Sequence, residues 1–241
     1  MRKVLLLAYG VYAGLLFALL ALGALATLLV MPGLGRRRRI VRATARLFLR
    51  LAGMPLAVKG LEGLPDGQCV VVANHASYLD GVVFSAALPP RFGFVIKREM
   101  AGVPLAGAML RRIGSEFVER FDRRKGAADA RRVLRNAVSG HSLVFFPEGT
   151  FATQPGLNKF HAGAFITAAR AGCPVVPAVV RGTREALTPG SLLPCPARIT
   201  VELLPPVIAS SGSGESAASE LRDRARGAIL HHLDEPDLAA A

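Results

Sequence analysis

The pattern of apolar positions divides the chain into an N-terminal helical segment and a longer region of alternating strands and helices. From Val4 to Val30 the sequence is almost unbroken apolar, which exceeds the ~20 residues that a helix needs to cross a bilayer core. A cleaved signal peptide is the alternative. The apolar stretch of a signal peptide is about 7–15 residues, shorter than this one, and no clear small-residue cleavage site follows the stretch in this chain. The pattern therefore favours an uncleaved membrane helix.

A basic amphipathic helix is predicted next, beginning with the four arginines at 36–39. Apolar side chains share one side of its helical wheel, and Arg42, Arg46 and Arg50 centre on the other. Such a helix lies in the headgroup plane of anionic lipid, although a core-facing helix with a solvated arginine face shows the same pattern. The arginine excess after the apolar stretch places the bulk of the chain in the cytoplasm. Because both ends of that stretch are basic, spanning the bilayer and dipping into one leaflet as a hairpin both remain open.

After Met54 the pattern alternates between short β-branched runs and segments of helical period. This alternation predicts an α/β fold with a mixed, mostly parallel sheet flanked by helices. We therefore divide the chain into a membrane region at residues 1–53 and an α/β domain at 54–241. Strands are predicted at Cys69–Ala73, Phe92–Ile96, Glu116–Glu119, Leu143–Phe146, Val175–Val180 and Ile199–Leu203, and helices near Leu79–Leu88, Pro104–Arg112, Ala127–Val138, Ala162–Ala171 and Ser219–Leu233.

Charge and composition narrow the class of partner. The chain has 30 Lys and Arg against 17 Asp and Glu, a formal charge of +13, which indicates nucleic acid, anionic lipid, or a phosphorylated or coenzyme-A-bearing substrate as partner. With no Trp, three Tyr and no zinc-like spacing, stacking on nucleic acid is poorly supported, and no nucleic acid partner is expected. The three scattered cysteines are typical of free thiols in a reducing cytosol.

Candidate chemistry begins at His75, which directly follows the predicted buried strand, with Asp80 five residues later. In a regular helix such residues lie roughly 140° apart around the axis, so they meet only if the segment between them is a turn that becomes a helix. The carboxylate would then take the proton of one ring nitrogen and leave the other nitrogen as a base. The alternative interpretation is a loop histidine and a helix-capping aspartate.

Three further strand ends carry polar residues. Lys97 follows one predicted strand, Arg120 follows another, and the turn at 147–150 follows a third. In a largely parallel sheet these ends gather on one edge with His75. A base, a carboxylate, a glycine turn and several cations there would suit deprotonation of a hydroxyl on a phosphate-bearing molecule. No GxSxG elbow or Cys-His pairing indicates a covalent acyl-enzyme, so direct attack is expected.

Four segments in order resemble the blocks of the glycerolipid acyltransferases, of the 1-acyl-sn-glycerol-3-phosphate acyltransferase type. They are His75-x4-Asp80, then Gly114-x2-Phe117-Val118-x-Arg120, then Phe146-Pro147-Glu148-Gly149-Thr150, then Val176-Pro177. The match spans Val70 to Gly182, about half of the chain. Any one block alone is a weak signal, but all four in order, at intervals that hold a βα unit, strongly indicate the family.

The resemblance implies that His75 is the general base on the acceptor hydroxyl and that Asp80 orients it. Arg120, helped by Lys97, would bind the phosphate of the acceptor. The acceptor would be a lysophospholipid and the donor a thioester, either acyl-CoA or acyl carrier protein, with no metal and no cofactor required. The substrate-binding residues would be Lys97, Gly114, Arg120, Glu148, Gly149, Thr150 and Pro177, of which Glu148 and Gly149 shape the acceptor pocket and Pro177 packs against the acyl site.

The chain departs from the family pattern at Phe151, where a basic residue or serine often stands. One phosphate contact is lost there, so the acceptor stays open between 1-acyl-sn-glycerol 3-phosphate, lyso-ornithine lipid, another lysophospholipid and glycerol 3-phosphate. A non-catalytic membrane-surface or nucleic-acid-binding protein is the interpretation of a different class, and it rests on charge alone. The expected location is the cell membrane, bound to anionic lipid, with the catalytic domain on the cytoplasmic face.

Overall fold

The fold is given by a computed structural model that describes residues 1–119, 123–151, 153–210 and 214–240, without the side chains of Arg2, Arg123, Lys125 and Ala127. The helices are α1 Arg2–Val30, α2 Leu34–Leu51, α3 Asp80–Ala87, α4 Ala106–Arg112, α5 Arg123–Val138, α6 Gly163–Ala171, α7 Thr183–Ala186 and α8 Glu215–Leu233. The strands are β1 Leu56–Lys59, β2 Val70–Ala73, β3 Gly93–Lys97, β4 Glu116–Val118, β5 Leu143–Phe145, β6 Val175–Arg181 and β7 Ile199–Leu203.

Within the described chain, the seven strands form one sheet in the order β1-β7-β6-β2-β5-β3-β4. β6 and β7 run antiparallel, and the other neighbouring pairs are parallel. The predicted mixed, mostly parallel sheet flanked by helices is therefore confirmed. β1 and the short α7 were not predicted from the sequence. Because β2, β5, β3 and β4 all run the same way, their carboxyl ends share one edge of the sheet.

Two apolar clusters cover the two faces of the sheet. On one face Phe48 of α2 and Phe84 of α3 are buried against the strands. On the other face Phe165 of α6 and Ile229 of α8 are buried. The central strand β2 is buried along its whole length, as expected for a parallel strand with helices on both faces. The chain that leaves β2 therefore starts from a fixed position.

The two N-terminal helices pack as an antiparallel hairpin. Near the start of α1, the Tyr9 hydroxyl donates to the Ala52 carbonyl at 2.7 Å and the Tyr12 hydroxyl donates to the Leu51 carbonyl at 3.0 Å. Among the described residues, α1 is the one helix long and apolar enough to cross a bilayer. The division of the chain at residue 53 stays a prediction.

The arginine face of α2 is turned partly to the α/β domain rather than wholly to lipid headgroups. Arg38 donates from Nε to the Ile113 carbonyl at 2.9 Å, from Nη1 to the Arg91 carbonyl at 2.7 Å and from Nη2 to the Gly114 carbonyl at 3.5 Å. Arg46 Nε donates to the carbonyl of Ala86 at 2.8 Å. These contacts fasten α2 to the carbonyl groups of the domain beneath it.

We expect Arg38→Ala to destabilise the folded chain by about 2–3 kcal/mol, because carbonyl groups at the interface lose a charged hydrogen-bond donor. The matched control is Arg39→Ala, since Arg39 is the neighbouring residue of α2 and is exposed. Denaturant unfolding of both variants in the same detergent measures the difference. Equal free energies of unfolding for the two variants would show that the hydrogen bonds of Arg38 contribute nothing to stability.

Candidate active site

The loop that carries the site is anchored at Asn74, the first residue after β2. Its side-chain Nδ2 donates to the Val180 carbonyl at 3.0 Å, and the Val180 N–H donates to Oδ1 of Asn74 at 2.8 Å. The side chain thus continues the pairing of β2 with β6 by one more step. Sequence reasoning did not select Asn74, although its position between a buried strand and His75 was the available signal.

His75 and Asp80 are brought into contact by a turn that becomes α3. His75 Nδ1 donates to Asp80 Oδ2 at 2.7 Å. The aspartate side chain is fully buried, whereas 19% of the histidine side chain is exposed. Oδ2 also accepts the backbone N–H groups of Ala76 at 2.7 Å and Ser77 at 3.0 Å. Asp80 therefore closes the turn as a capping residue would, and orients the imidazole as well.

The surroundings of Asp80 decide the tautomer of His75. Asp80 lies in the first turn of α3, where the helix dipole stabilises a negative charge. Three N–H donors converge on one carboxylate oxygen, and a carboxylate acceptor at Nδ1 assigns the ring proton to that nitrogen. Nε2 then keeps its lone pair, so the pair can act as a general base.

Glu148 binds the backbone N–H of His75. Its Oε1 accepts the His75 backbone N–H at 2.6 Å, and its Oε2 accepts the backbone N–H of Asn158 at 2.9 Å and the side-chain Nδ2 of Asn158 at 3.2 Å. Burial raises the pKa of Glu148 above its usual value, while the hydrogen bonds from Asn158 and His75 oppose that rise. Glu148 is thus a structural support of the histidine loop, and Asn158 is a partner that sequence reasoning missed.

The turn that delivers Glu148 requires glycine at its end. The Gly149 N–H donates to the Phe146 carbonyl at 3.0 Å, and Gly149 has a φ of +81°, a conformation that side chains disfavour. Thr150 follows and is exposed. This turn places Glu148 beneath the loop and leads the chain to Phe151.

Aromatic rings enclose the imidazole. The His75 ring is stacked on Phe146, with ring centroids 4.5 Å apart and an interplanar angle of 22°. Phe151 approaches the His75 ring at 4.7 Å and 84°, and Tyr78 approaches Phe151 at 4.7 Å and 90°. Phe146 in turn meets Phe84 at 5.5 Å. A row of five rings thus runs from the core through His75 to the surface.

Of the two predicted cations, Lys97 lies on the same edge of the sheet. Lys97 ends β3 and is paired with Val118 of β4. Since β5 lies between β2 and β3, Lys97 is two strand spacings, about 10 Å, from the strand that carries His75. Arg120 lies outside the described residues.

Two predicted residues are not brought to His75. Gly114 precedes β4 and therefore lies at the amino edge of the sheet, where its φ is +69° and an added Cβ would stand 3.1 Å from Cδ1 of Leu34. Pro177 is buried within β6, in register with Val72. Their positions fit packing against α2 and within the sheet.

The described residues contain no group of three or more His, Cys, Asp and Glu side chains that could hold a metal.

Comparison with known proteins finds one matching family model and several similar proteins for this chain. The model of the family described as acyltransferase matches residues 55–181. The chain is 33% identical over 160 residues to the 1-acyl-sn-glycerol-3-phosphate acyltransferase BAT2 of Brassica napus, covering 64% of this chain and 46% of that protein. It is 26% identical over 211 residues to the 1-acyl-sn-glycerol-3-phosphate acyltransferase of Pseudomonas aeruginosa, covering 86% and 81%. The chain spans about half the length of the plant relatives it matches.

A solved structure with the same fold is the 1-acyl-sn-glycerophosphate acyltransferase PlsC of Thermotoga maritima. The TM-score is 0.76 at 22% sequence identity, with 96% of this chain and 95% of that chain covered. At this identity the likeness concerns the fold. It extends over the N-terminal hairpin as well as the sheet, because nearly the whole of both chains is aligned.

We expect Glu148→Gln to lower the free energy of unfolding by about 1–3 kcal/mol, because an amide offers one acceptor oxygen where three N–H donors need two. The same change should speed hydrogen exchange at the backbone amide of His75. Denaturant unfolding and amide exchange of the full chain measure both effects. The control is Glu62→Gln, since Glu62 is exposed; if the two variants behave alike, Glu148 does not hold the loop.

Proposed function

The chain belongs to the acyltransferase family, and from that premise we propose that it transfers a fatty acyl group from a thioester donor to the free hydroxyl of 1-acyl-sn-glycerol 3-phosphate, giving phosphatidate. The observation that carries the proposal is the 2.7 Å contact between His75 and the buried Asp80. The names of the relatives from Brassica napus and Pseudomonas aeruginosa support this choice of acceptor.

In the proposed mechanism, Nε2 of His75 takes the proton of the acceptor hydroxyl as the hydroxyl oxygen attacks the thioester carbonyl carbon. The buried charge of Asp80 stabilises the imidazolium that forms, as in other carboxylate-histidine pairs. The C–S bond then breaks, and the imidazolium returns the proton to the leaving thiolate. The products are the acylated lipid and a free thiol, so neither a metal nor an organic cofactor enters the balance.

The acceptor phosphate is assigned to the cations beyond β3 and β4. Lys97 supports this assignment by its position at the carboxyl end of β3, on the edge of the sheet that also carries His75. Arg120 belongs to the segment that follows β4 and is proposed as the second phosphate contact, as the block resemblance implies. A phosphate monoester held there would be oriented relative to His75 by two charge-assisted contacts.

For membrane attachment, we propose that the hairpin of α1 and α2 dips into one leaflet, with the α/β domain on the cytoplasmic side. Tyr9 and Tyr12 tie α1 to the end of α2, and Arg38 ties α2 to the domain. These contacts support a helix that lies along α2 over one that crosses the bilayer alone. Its outer face offers exposed apolar side chains to lipid, namely Val4, Leu5, Val11, Leu15, Leu19 and Leu22.

We expect His75→Ala to lower the acceptor-dependent release of thiol from acyl-CoA by about 10²–10⁴-fold, the range ascribed to general-base catalysis. The full chain in detergent, with acyl-CoA and 1-acyl-sn-glycerol 3-phosphate, provides the assay. His141→Ala is the matched control, because His141 is exposed at the other edge of the sheet, ahead of β5. A His75→Ala variant that keeps the wild-type rate would remove His75 from the mechanism.

The acceptor is tested by a panel of lysophospholipids. We expect kcat/KM for 1-acyl-sn-glycerol 3-phosphate to exceed that for lysophosphatidylcholine by at least about tenfold, since a hydrogen bond to a charged group contributes about 1.5–3 kcal/mol. Lys97→Ala should reduce this preference mainly through KM for the phosphate monoester. A wild-type chain that works best on acceptors without a phosphate monoester would contradict the assignment and favour another lysolipid.

A further inference from the structure

We propose that Phe151 is an apolar cover over the general base, which keeps water from the imidazole and so suppresses hydrolysis of the thioester donor. The inference rests on the proposed function. It assigns a role to a residue that stands outside the matched blocks and that the sequence alone suggested only as the loss of a cation.

The geometry leaves His75 few open sides. Its Nδ1 is directed at Asp80, its ring is stacked on Phe146, and Phe151 meets it almost perpendicularly at 4.7 Å. With these neighbours in place, 19% of the histidine side chain is exposed. Phe151 is therefore one of the groups that separate the ring from solvent.

Tyr78 extends the cover outwards. It lies in the loop between His75 and Asp80, is 58% exposed and meets Phe151 at 4.7 Å and 90°. Perpendicular aromatic pairs of this kind are favourable beyond the area they bury. Phe151 thus lies between the rings of His75 and Tyr78. Both of these residues belong to the loop that follows β2.

The chemistry explains why a cover is needed. A base that deprotonates a lipid hydroxyl can equally deprotonate water. His75 would take a proton from water, the water oxygen would attack the thioester carbonyl carbon, the C–S bond would break, and the proton would pass to the thiolate. Free fatty acid and thiol would result, so the donor would be wasted. Excluding water from a closed site prevents side reactions of this kind.

The experiment compares hydrolysis with transfer in the full chain. Acyl-CoA is supplied with and without 1-acyl-sn-glycerol 3-phosphate, and free fatty acid and acylated lipid are both quantified. We expect Phe151→Ala to raise the ratio of hydrolysis to transfer about tenfold, because removing the ring that meets the imidazole lets water reach the base. Phe151→Leu should give a ratio close to that of wild type, because leucine also provides an apolar cover. Tyr78→Ala should give a ratio between those of Phe151→Ala and Phe151→Leu.

The ratio separates a cover from a structural role, since misfolding lowers both products together. Val138→Ala is the control, because it removes an exposed apolar side chain at the far edge of the sheet. An unchanged ratio in Phe151→Ala overturns this inference, provided that wild type makes acylated lipid. If Phe151→Ala does not fold, an unchanged ratio in Tyr78→Ala does the same. A wild-type chain that makes no acylated lipid contradicts the proposed function instead.

Discussion

The hydrogen bond between His75 and Asp80 is the contact on which the candidate site depends. Residues five apart would point in different directions along a continuous helix, so the pair exists only because the chain turns before α3 begins. The turn is closed by the same carboxylate, which accepts the N–H groups of Ala76 and Ser77 in addition to the imidazole. A buried carboxylate is costly unless it is hydrogen-bonded, and here the three donors that reach its Oδ2 are also the groups it positions.

Two supports outside the turn fix where this pair stands. Asn74 extends the pairing of β2 with β6, and Glu148 accepts the backbone N–H of His75. Val180, which pairs with Asn74, and Glu148 are both far from His75 in sequence, so the rest of the sheet fixes the position of the histidine together with its own loop. The sheet can do this because its central strand is buried on both faces. The same arrangement brings the carboxyl end of β3, with Lys97, to the same edge.

Much of the fold follows from simple patterns. The six predicted strands are confirmed to within one residue at each end. β2, β5 and β6 are apolar runs buried along nearly their whole length, the mark of a strand covered on both faces, whereas β7 alternates buried and half-buried positions. β1 was missed because only alternate residues of its four are even partly buried, and α7 because a four-residue helix has no periodicity to detect. The arginine face of α2 was interpreted from its wheel alone, which could not reveal that Arg38 binds carbonyl groups of the domain.

The site was predicted less evenly than the fold. The spacing of His75 and Asp80 allowed either a pair or two unrelated residues, and the family resemblance favoured the pair. Gly114 was grouped with the site by its block, but it precedes β4, and the direction of a parallel strand sends it to the opposite edge. Asn158 carried no signal, because its contact with Glu148 depends on how a later loop packs. Phe151 looked like a missing cation, whereas its contact with the imidazole becomes visible only once both loops are placed.

The central claim is that Asp80 fixes the proton of the neutral His75 ring on Nδ1 and leaves Nε2 as the base. Nitrogen-15 NMR of the histidine-labelled full chain in detergent micelles tests this claim directly, with the His75 signal assigned by its loss in His75→Gln. The account predicts a ring protonated at Nδ1, and loss of that preference in Asp80→Ala. A neutral His75 that carries its proton on Nε2 in the wild-type chain would contradict it.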